Sequence, residues 1–304
     1  MIPIPEHVAR TIAGVHQEKG RRWLERYDEL VLRCLDKWSL RPADVAPFPL
    51  SYNVVAPVIR IDGSDAVLKL GVPGKDMDME IAAVRLYDGK GMARLIDADP
   101  EQGAFLLERV KPGLTLKSVE DDEAATMAAA SVMRKLHVPA PSGTLFPSTA
   151  DCAKGLNKLR IRYDGGTGPL PERAVRKAER LFAELHETAA NPLLLHGDLH
   201  HDNILSAERE PWLAIDPKGL IGEAEYGVIP YLMNHLPEHN AAEIIRRRIS
   251  IFADELGLRK KRIAEWSFCH AVLSAWWCIE DQTDGADDAI DTALLFESLM
   301  EEIA

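Results

Sequence analysis

Leu193-Leu-Leu-His-Gly-Asp-Leu-His-His-Asp-Asn-Ile-Leu205, followed downstream by Asp216-Pro-Lys-Gly219, is the stretch whose reading decides the fold of this chain. It places Asp198 two residues after His196 and five before Asn203, with a second carboxylate at Asp216. Phosphoryl transfer asks little covalent chemistry of a protein. It needs a carboxylate to orient an attacking hydroxyl and take its proton, and oxygen ligands to hold Mg²⁺ against phosphates. On this spacing Asp198 is the candidate base, and Asn203 and Asp216 are the candidate metal ligands. The flanks agree, because Leu193–Leu195, Ile204-Leu205 and Trp212–Ile215 read as short strands that deliver polar side chains at their ends. A solvated surface loop explains the stretch poorly: seven of the eight residues His196–Asn203 are polar or Gly, yet both sides are strand-like.

His196, Asp198, His200 and His201 also admit a zinc reading, since His and Asp are common ligands. No Cys lies nearby to close a tetrahedral set. An upstream lysine favours phosphotransfer. Lys69 stands in Val67-Leu-Lys-Leu70, an apolar strand where a lone ammonium needs a reason. An edge-strand lysine that blocks aggregation is the bland account. The sharper one is a phosphate-gripping lysine paired to a glutamate on the next helix, and Glu80, eleven residues on, is the partner expected. Ser51 and Asn53 sit in the turn expected over the nucleotide phosphates, although Ser51-Tyr-Asn-Val-Val contains no glycine. Phe105–Val110 reads as a hinge in which backbone groups of Glu108 and Val110 would meet an adenine edge.

Outward from these positions, residues 5 to about 40 carry apolar spacing for amphipathic helices, ended by Pro42, Pro47 and Pro49. Leu50–Leu70 reads as a hairpin turning at Asp62-Gly63-Ser64. Asp76–Leu86 reads as a helix with Asp76 as its N-cap, followed by strands at Arg94–Ala98 and Ala104–Val110. The remainder is mostly helical, with helices expected at about 122–137, 151–163, 171–187, 241–256, 260–281 and 287–303. Gly165-Gly-Thr-Gly is a loop with no strand-to-helix junction behind it, so it is not a phosphate cradle.

The chain has 304 residues and a net charge of −12, which argues against nucleic acid as the main partner. Four scattered cysteines form no disulfide or CxxC framework, no secretory signal opens the chain and no apolar run reaches membrane-span length. A cytoplasmic monomer or weak dimer is expected. After Arg262 there is no Lys or Arg, while ten acids follow. Such acids are often only a solvated helix face. The functional alternative is an acidic wall that attracts a cationic acceptor, with Glu280 and Asp281 beside Trp276-Trp277 as its candidates and Glu225 a weaker one.

Ser51–Val58, Ala66–Gly71, His196–Asn203, Asp216–Gly219 and Ala275–Asp281 together resemble the aminoglycoside phosphotransferase family, in particular its streptomycin and hydroxyurea phosphotransferase branch. The resemblance spans about residues 45 to 285. It implies an α+β, protein-kinase-like fold of two lobes: residues 1–110, a small antiparallel sheet lobe holding nucleotide, and 111–304, a larger helical lobe holding the catalytic loop and acceptor. It also implies ATP and Mg²⁺ as cofactors and a small-molecule hydroxyl as acceptor. In that scheme His196 holds the loop through hydrogen bonds, and Lys218 is open to phosphate or to substrate, with no spacing that decides between them. The rival readings are a choline, homoserine or methylthioribose kinase of the same fold, a non-catalytic nucleotide-binding regulator, and a metal hydrolase working without ATP.

Overall fold

The computed structural model describes residues 2–48, 52–143, 146–237 and 239–303. In chain order these form α1 (Glu6–Glu25), α2 (Tyr27–Lys37), β1 (Leu40–Pro42), β2 (Val54–Arg60), β3 (Asp65–Leu70), α3 (Lys75–Tyr87), β4 (Leu95–Asp99), β5 (Ala104–Glu108) and β6 (Pro112–Thr115). There follow α4 (Asp122–Lys135), β7 (Val138–Pro139), α5 (Thr149–Arg162), α6 (Glu172–Glu187), β8 (Leu193–Leu195), β9 (Ile204–Ala207) and β10 (Trp212–Ala214). The chain ends with β11 (Leu220–Gly222), α7 (Ala224–Gly227), α8 (Ile229–Leu232), α9 (Ala241–Leu256), α10 (Lys260–Glu280) and α11 (Ala286–Ile303). Two compact units result: Met1–Gly113 with Ser206–Lys218, and Leu114–Leu205 with Gly219–Ala304.

The first unit is built on an antiparallel sheet of order β1-β2-β3-β5-β4. Alternation along the strands divides its faces. Val54, Ala56 and Val58, with Ala66, Leu68, Leu70, Ala104 and Leu106, point to one side, where Val8, Ile12, Trp23, Leu30 and Val31 of α1 and α2 cover them. The opposite face takes the intervening residues, and there Lys69 pairs in register with Val55 on β2 and Phe105 on β5. The two N-terminal helices therefore form one wall of the core beneath the sheet. Helix α1 kinks at Gln17, whose φ of 49° is non-helical.

Three local expectations change. Helix α3 starts at Lys75 behind Gly74, so Asp76 lies inside its first turn and is not the N-cap. An acid there still favours the positive end of the helix dipole. Helix α2 ends at Lys37, well before the prolines, and Leu40–Pro42 runs on as edge strand β1 against β2. Proline is tolerated on an edge because its missing N–H is not needed by a neighbour. Helix α5 begins at Thr149, earlier than expected, because Ser148 and Asp151 form a reciprocal capping box.

The second unit is helical around α10, where Ile263, Trp266, Phe268, Cys269, Val272, Leu273 and Trp276 are all buried. A helix apolar around its whole circumference must be enclosed. Helices α5, α6, α9 and α11 pack against it. A small antiparallel sheet of order β11-β8-β7 carries the HGD loop at the end of β8.

Candidate active site

Each unit assembles its own set of polar residues. In the first, Lys69 Nζ lies 2.7 Å from Glu80 Oε1 and also meets Asp216 Oδ1. The lysine side chain is only 5% exposed, the glutamate 10% and the aspartate 42%. An unpaired ammonium at that depth costs several kcal/mol, so the two carboxylates are what make the position tenable. Burial by itself would push the Lys69 ammonium down, but the charges of Glu80 and Asp216 outweigh it and hold the group above its ordinary value. Burial pushes Glu80 up to about 7; Lys69 opposes that shift and Asp216, which shares the same cation, adds to it. The Phe105 ring lies 5.8 Å from Nζ and walls the site on the strand side.

Asp216 has a left-handed backbone, φ 62°, an unusual position that Asp tolerates better than most residues. It follows β10, which is held to the α3–β4 loop by Ala93 N–H to Ala214 O, 2.9 Å, and Ala214 N–H to Gly91 O, 2.8 Å. Asn53 lies over the end of β3 against Gly71. A Cβ on Gly71 would come within 2.1 Å of Asn53 Oδ1, so only glycine fits beneath that carboxamide. Ser51 falls outside the described residues. Glu108 N–H bonds Arg94 O at 2.9 Å, so that amide is committed within the sheet unit and only the carbonyl of Glu108 suits an adenine donor. Val110 is half-buried just beyond β5, and Lys218 is exposed.

In the second unit the loop from His196 to Asn203 is held by its own hydrogen bonds. Gly197 supplies the φ of 85° that the turn after β8 requires. Asp198 N–H donates to His196 Nδ1 at 3.3 Å, and Gly219 N–H donates to His196 O at 3.0 Å. Asn203 Nδ2 donates to the Asp198 carbonyl at 2.9 Å, which fixes the carboxamide and makes its oxygen the open acceptor edge. His200 caps the turn by accepting from Asp202 N–H at 3.3 Å, and Lys117 pairs with Asp202 at 2.9 Å. The Asp198 side chain is 29% exposed, as a base that must meet a substrate requires.

Behind this loop lies a support that sequence reasoning missed. His201 stacks on Tyr231 at 4.0 Å and bonds Asn234 Oδ1 through Nδ1 at 3.0 Å. Arg248, 1% exposed, lies over the Tyr231 ring, pairs with Asp122 and donates to the carbonyls of Tyr231, Asn234 and His235. Burial, with the Arg248 charge, pushes His201 down to about 4, so its ring is neutral at pH 7. These partners come from separate segments, His201 and Asn234 being 33 residues apart and Arg248 and Asp122 126 apart, and no local pattern announces them. The histidines of the loop thus each use a ring nitrogen to hold it. Among the described residues no three His, Cys, Asp or Glu groups gather as a metal cluster. Magnesium in a phosphotransferase draws part of its oxygen shell from phosphates, so one carboxylate and one carboxamide oxygen, as Asp216 and Asn203 offer, fit its chemistry.

The acceptor candidates fare differently. Glu225 is buried and its charge is matched by Arg259 at 3.0 Å, so it does not line an acidic wall. Glu280 pairs with Lys158 at 3.3 Å and lines a cavity of about 460 Å³ with Ile161, Arg162, Trp276 and Gln282. Asp281 caps the end of α10 and is exposed.

Residues 37–282 match the family described as aminoglycoside/hydroxyurea antibiotic resistance kinase. Streptomycin 6-kinase of Streptomyces glaucescens is 35% identical over 298 residues, covering 96% of this chain and 96% of that protein. Hydroxyurea phosphotransferase of Kitasatospora aureofaciens is 34% identical over 92% of this chain and 82% of its own. Among solved structures, the aminoglycoside phosphotransferase APH(4)-Ia aligns with a TM-score of 0.63 at 14% identity, covering 91% of this chain and 99% of that one. At that identity the likeness speaks for the fold alone, which is protein-kinase-like.

Proposed function

The chain belongs to the aminoglycoside/hydroxyurea antibiotic resistance kinase family and is a phosphotransferase, and from that premise we propose that it moves the γ-phosphate of ATP to a hydroxyl of a streptomycin-like aminoglycoside. The observation that carries this reading is the buried Lys69 ammonium held between Glu80 and Asp216 in the sheet unit; the helical unit separately holds a preformed Asp198–Asn203 loop. Bound Mg²⁺ supplies charge neutralisation at the phosphates. The protein's own residues do the rest. Lys69 grips phosphate oxygens, and Glu80 keeps that ammonium charged and aimed. Asp198 orients the acceptor hydroxyl and takes its proton, while Asn203 and Asp216 hold the metal through oxygen. The unit with the five-stranded sheet carries the nucleotide, Asn53 covering its phosphates and Glu108 and Val110 meeting the adenine edge. The helical unit carries the acceptor.

A mass-spectrometric screen of ATP with streptomycin, hydroxyurea, choline, homoserine and methylthioribose tests the reading. The expected product is a singly phosphorylated streptomycin, formed only with Mg²⁺ and abolished by EDTA. Turnover in EDTA, or phosphorylation of choline or another metabolite in preference to streptomycin, overturns it.

A further inference from the structure

Arg209 lies at the tip of the hairpin β9–β10, closed by Ala207 N–H to Pro211 O at 3.2 Å, in a turn that itself contains none of the phosphotransfer motifs. Its guanidinium nevertheless gathers three separate segments of the sheet unit. Nε and Nη2 grip the Glu108 carboxylate, at 3.0 and 2.6 Å to Oε1, with Nε 3.2 Å from Oε2. Nη1 donates to Gly89 O at 2.9 Å and Nη2 to Met92 O at 2.6 Å, both in the loop that follows α3. Glu108 Oε1 also accepts from Arg94 N–H at 3.0 Å. Arg209 and Glu108 are each only 23% exposed. A surface hairpin has no need of so many donors on one side chain. The residues tied together are the end of β5, the loop that follows the helix carrying Glu80, and the hairpin whose second strand leads into Asp216.

We propose that Arg209 is a positioning residue for nucleotide binding: through Glu108 and the Gly89 and Met92 carbonyls it fixes the β5 edge relative to the Lys69, Glu80 and Asp216 cluster. Its planar fork satisfies carboxylate and carbonyls at once, a geometry that a lysine cannot reproduce. The proposal rests on the reading that this unit holds the nucleotide.

Three variants test it: Arg209→Met, which keeps length and loses the donors; Arg209→Lys, which keeps the charge and loses the fork; and Glu108→Gln, which keeps the backbone and loses the carboxylate. Each is compared with wild type for ADP affinity by calorimetry, for KM of ATP against kcat, and for thermal midpoint. Arg209→Met is expected to weaken ADP binding and raise KM for ATP by about 10–100-fold, the usual cost of losing a supporting partner, with a much smaller change in kcat at saturating ATP. Arg209→Lys is expected to recover little of this, and the Glu108→Gln, Arg209→Met double variant to lose less than the sum of the two singles. Should Arg209→Met fail to fold, Arg209→Lys decides by the same split. Unchanged ADP affinity with a lowered midpoint, or full rescue by lysine, makes Arg209 a structural anchor only and overturns the proposal. If the wild type itself takes up no ADP, the nucleotide reading fails and the proposal falls with it.

Discussion

Lys69 sits in a strand whose neighbours Leu68 and Leu70 are fully buried, and its charge survives there only because carboxylates from two other elements reach it. Asp198 lies at the opposite extreme, partly exposed, its backbone carbonyl bonded by Asn203 and its amide by His196. Because those anchors use the main chain, Asp198→Asn keeps the loop and removes only the proton acceptor. Turnover is expected to fall by ~10²–10⁴ while KM for ATP changes little. Steady-state kinetics check this, and a variant that keeps more than about a tenth of wild-type turnover removes Asp198 from the role of base. The histidines around it contribute differently, since His196, His200 and His201 are each occupied in shaping the loop. That division was only half readable beforehand. The spacing of Asp198, Asn203 and Asp216 is local and chemical, whereas the Arg248, Tyr231 and Asn234 shell behind the loop is made by tertiary contacts alone.

Element by element, the reading succeeds where a period is sustained and fails where an end is set by a side chain. Helices α6, α9, α10 and α11 lie within a residue or so of their expected ranges because their apolar positions recur over several turns. The start of α5 is displaced because the capping box is specified by Ser148 and Asp151 together, not by the apolar pattern. Strand β1 and the short helices α7 and α8 carry three or four residues each, too few to show any period. Ser148 also bridges to Ile221 of β11, so the box ties a helix start to the sheet that carries the catalytic loop. Ser148→Ala is expected to cost ~1 kcal/mol at neutral pH, read from urea midpoints. Asp151 adds a pH signature. Hydrogen bonds from Lys154 and from the Ser148 amide and hydroxyl hold its carboxyl well below the ordinary 3.8. A depressed folded value contributes stability that is present above the ordinary value and lost as pH falls below it. The penalty of Ser148→Ala is therefore expected to be smaller at about pH 3 than at pH 7. A penalty that is absent, or that does not change with pH, removes the capping box from the account.

Across the whole molecule the net charge of −12 is unevenly spread, with ten acids and no Lys or Arg after Arg262. Sequence alone makes that tail look like an uncompensated negative field. The fold supplies cations from elsewhere: Lys158 to Glu280, Lys177 and Arg173 to Glu297, and Arg246 to Glu302. The stretch from Asp281 through Asp284, Asp287 and Asp288 to Asp291 stays exposed without such a partner in the described structure, as does Glu301 near the end of α11. If a cationic acceptor is drawn to this end of the helical unit, Asp281 at the close of α10, next to the Glu280 and Trp276 cavity, is where a carboxylate matters most. An exposed ion pair is worth up to ~1 kcal/mol, so Asp281→Asn is expected to raise KM for streptomycin by at most about fivefold. KM for ATP should not move. The effect should fade as salt rises, because an exposed charge is screened over about 8 Å at physiological ionic strength. Asp287→Asn, in the first turn of α11, serves as the control for a diffuse field. Equal effects from both variants mean that the tail acts only through its total charge. Silence from Asp281→Asn while streptomycin still reacts, or a preferred acceptor that is neutral, leaves these acids as a hydrated surface with no part in recognition.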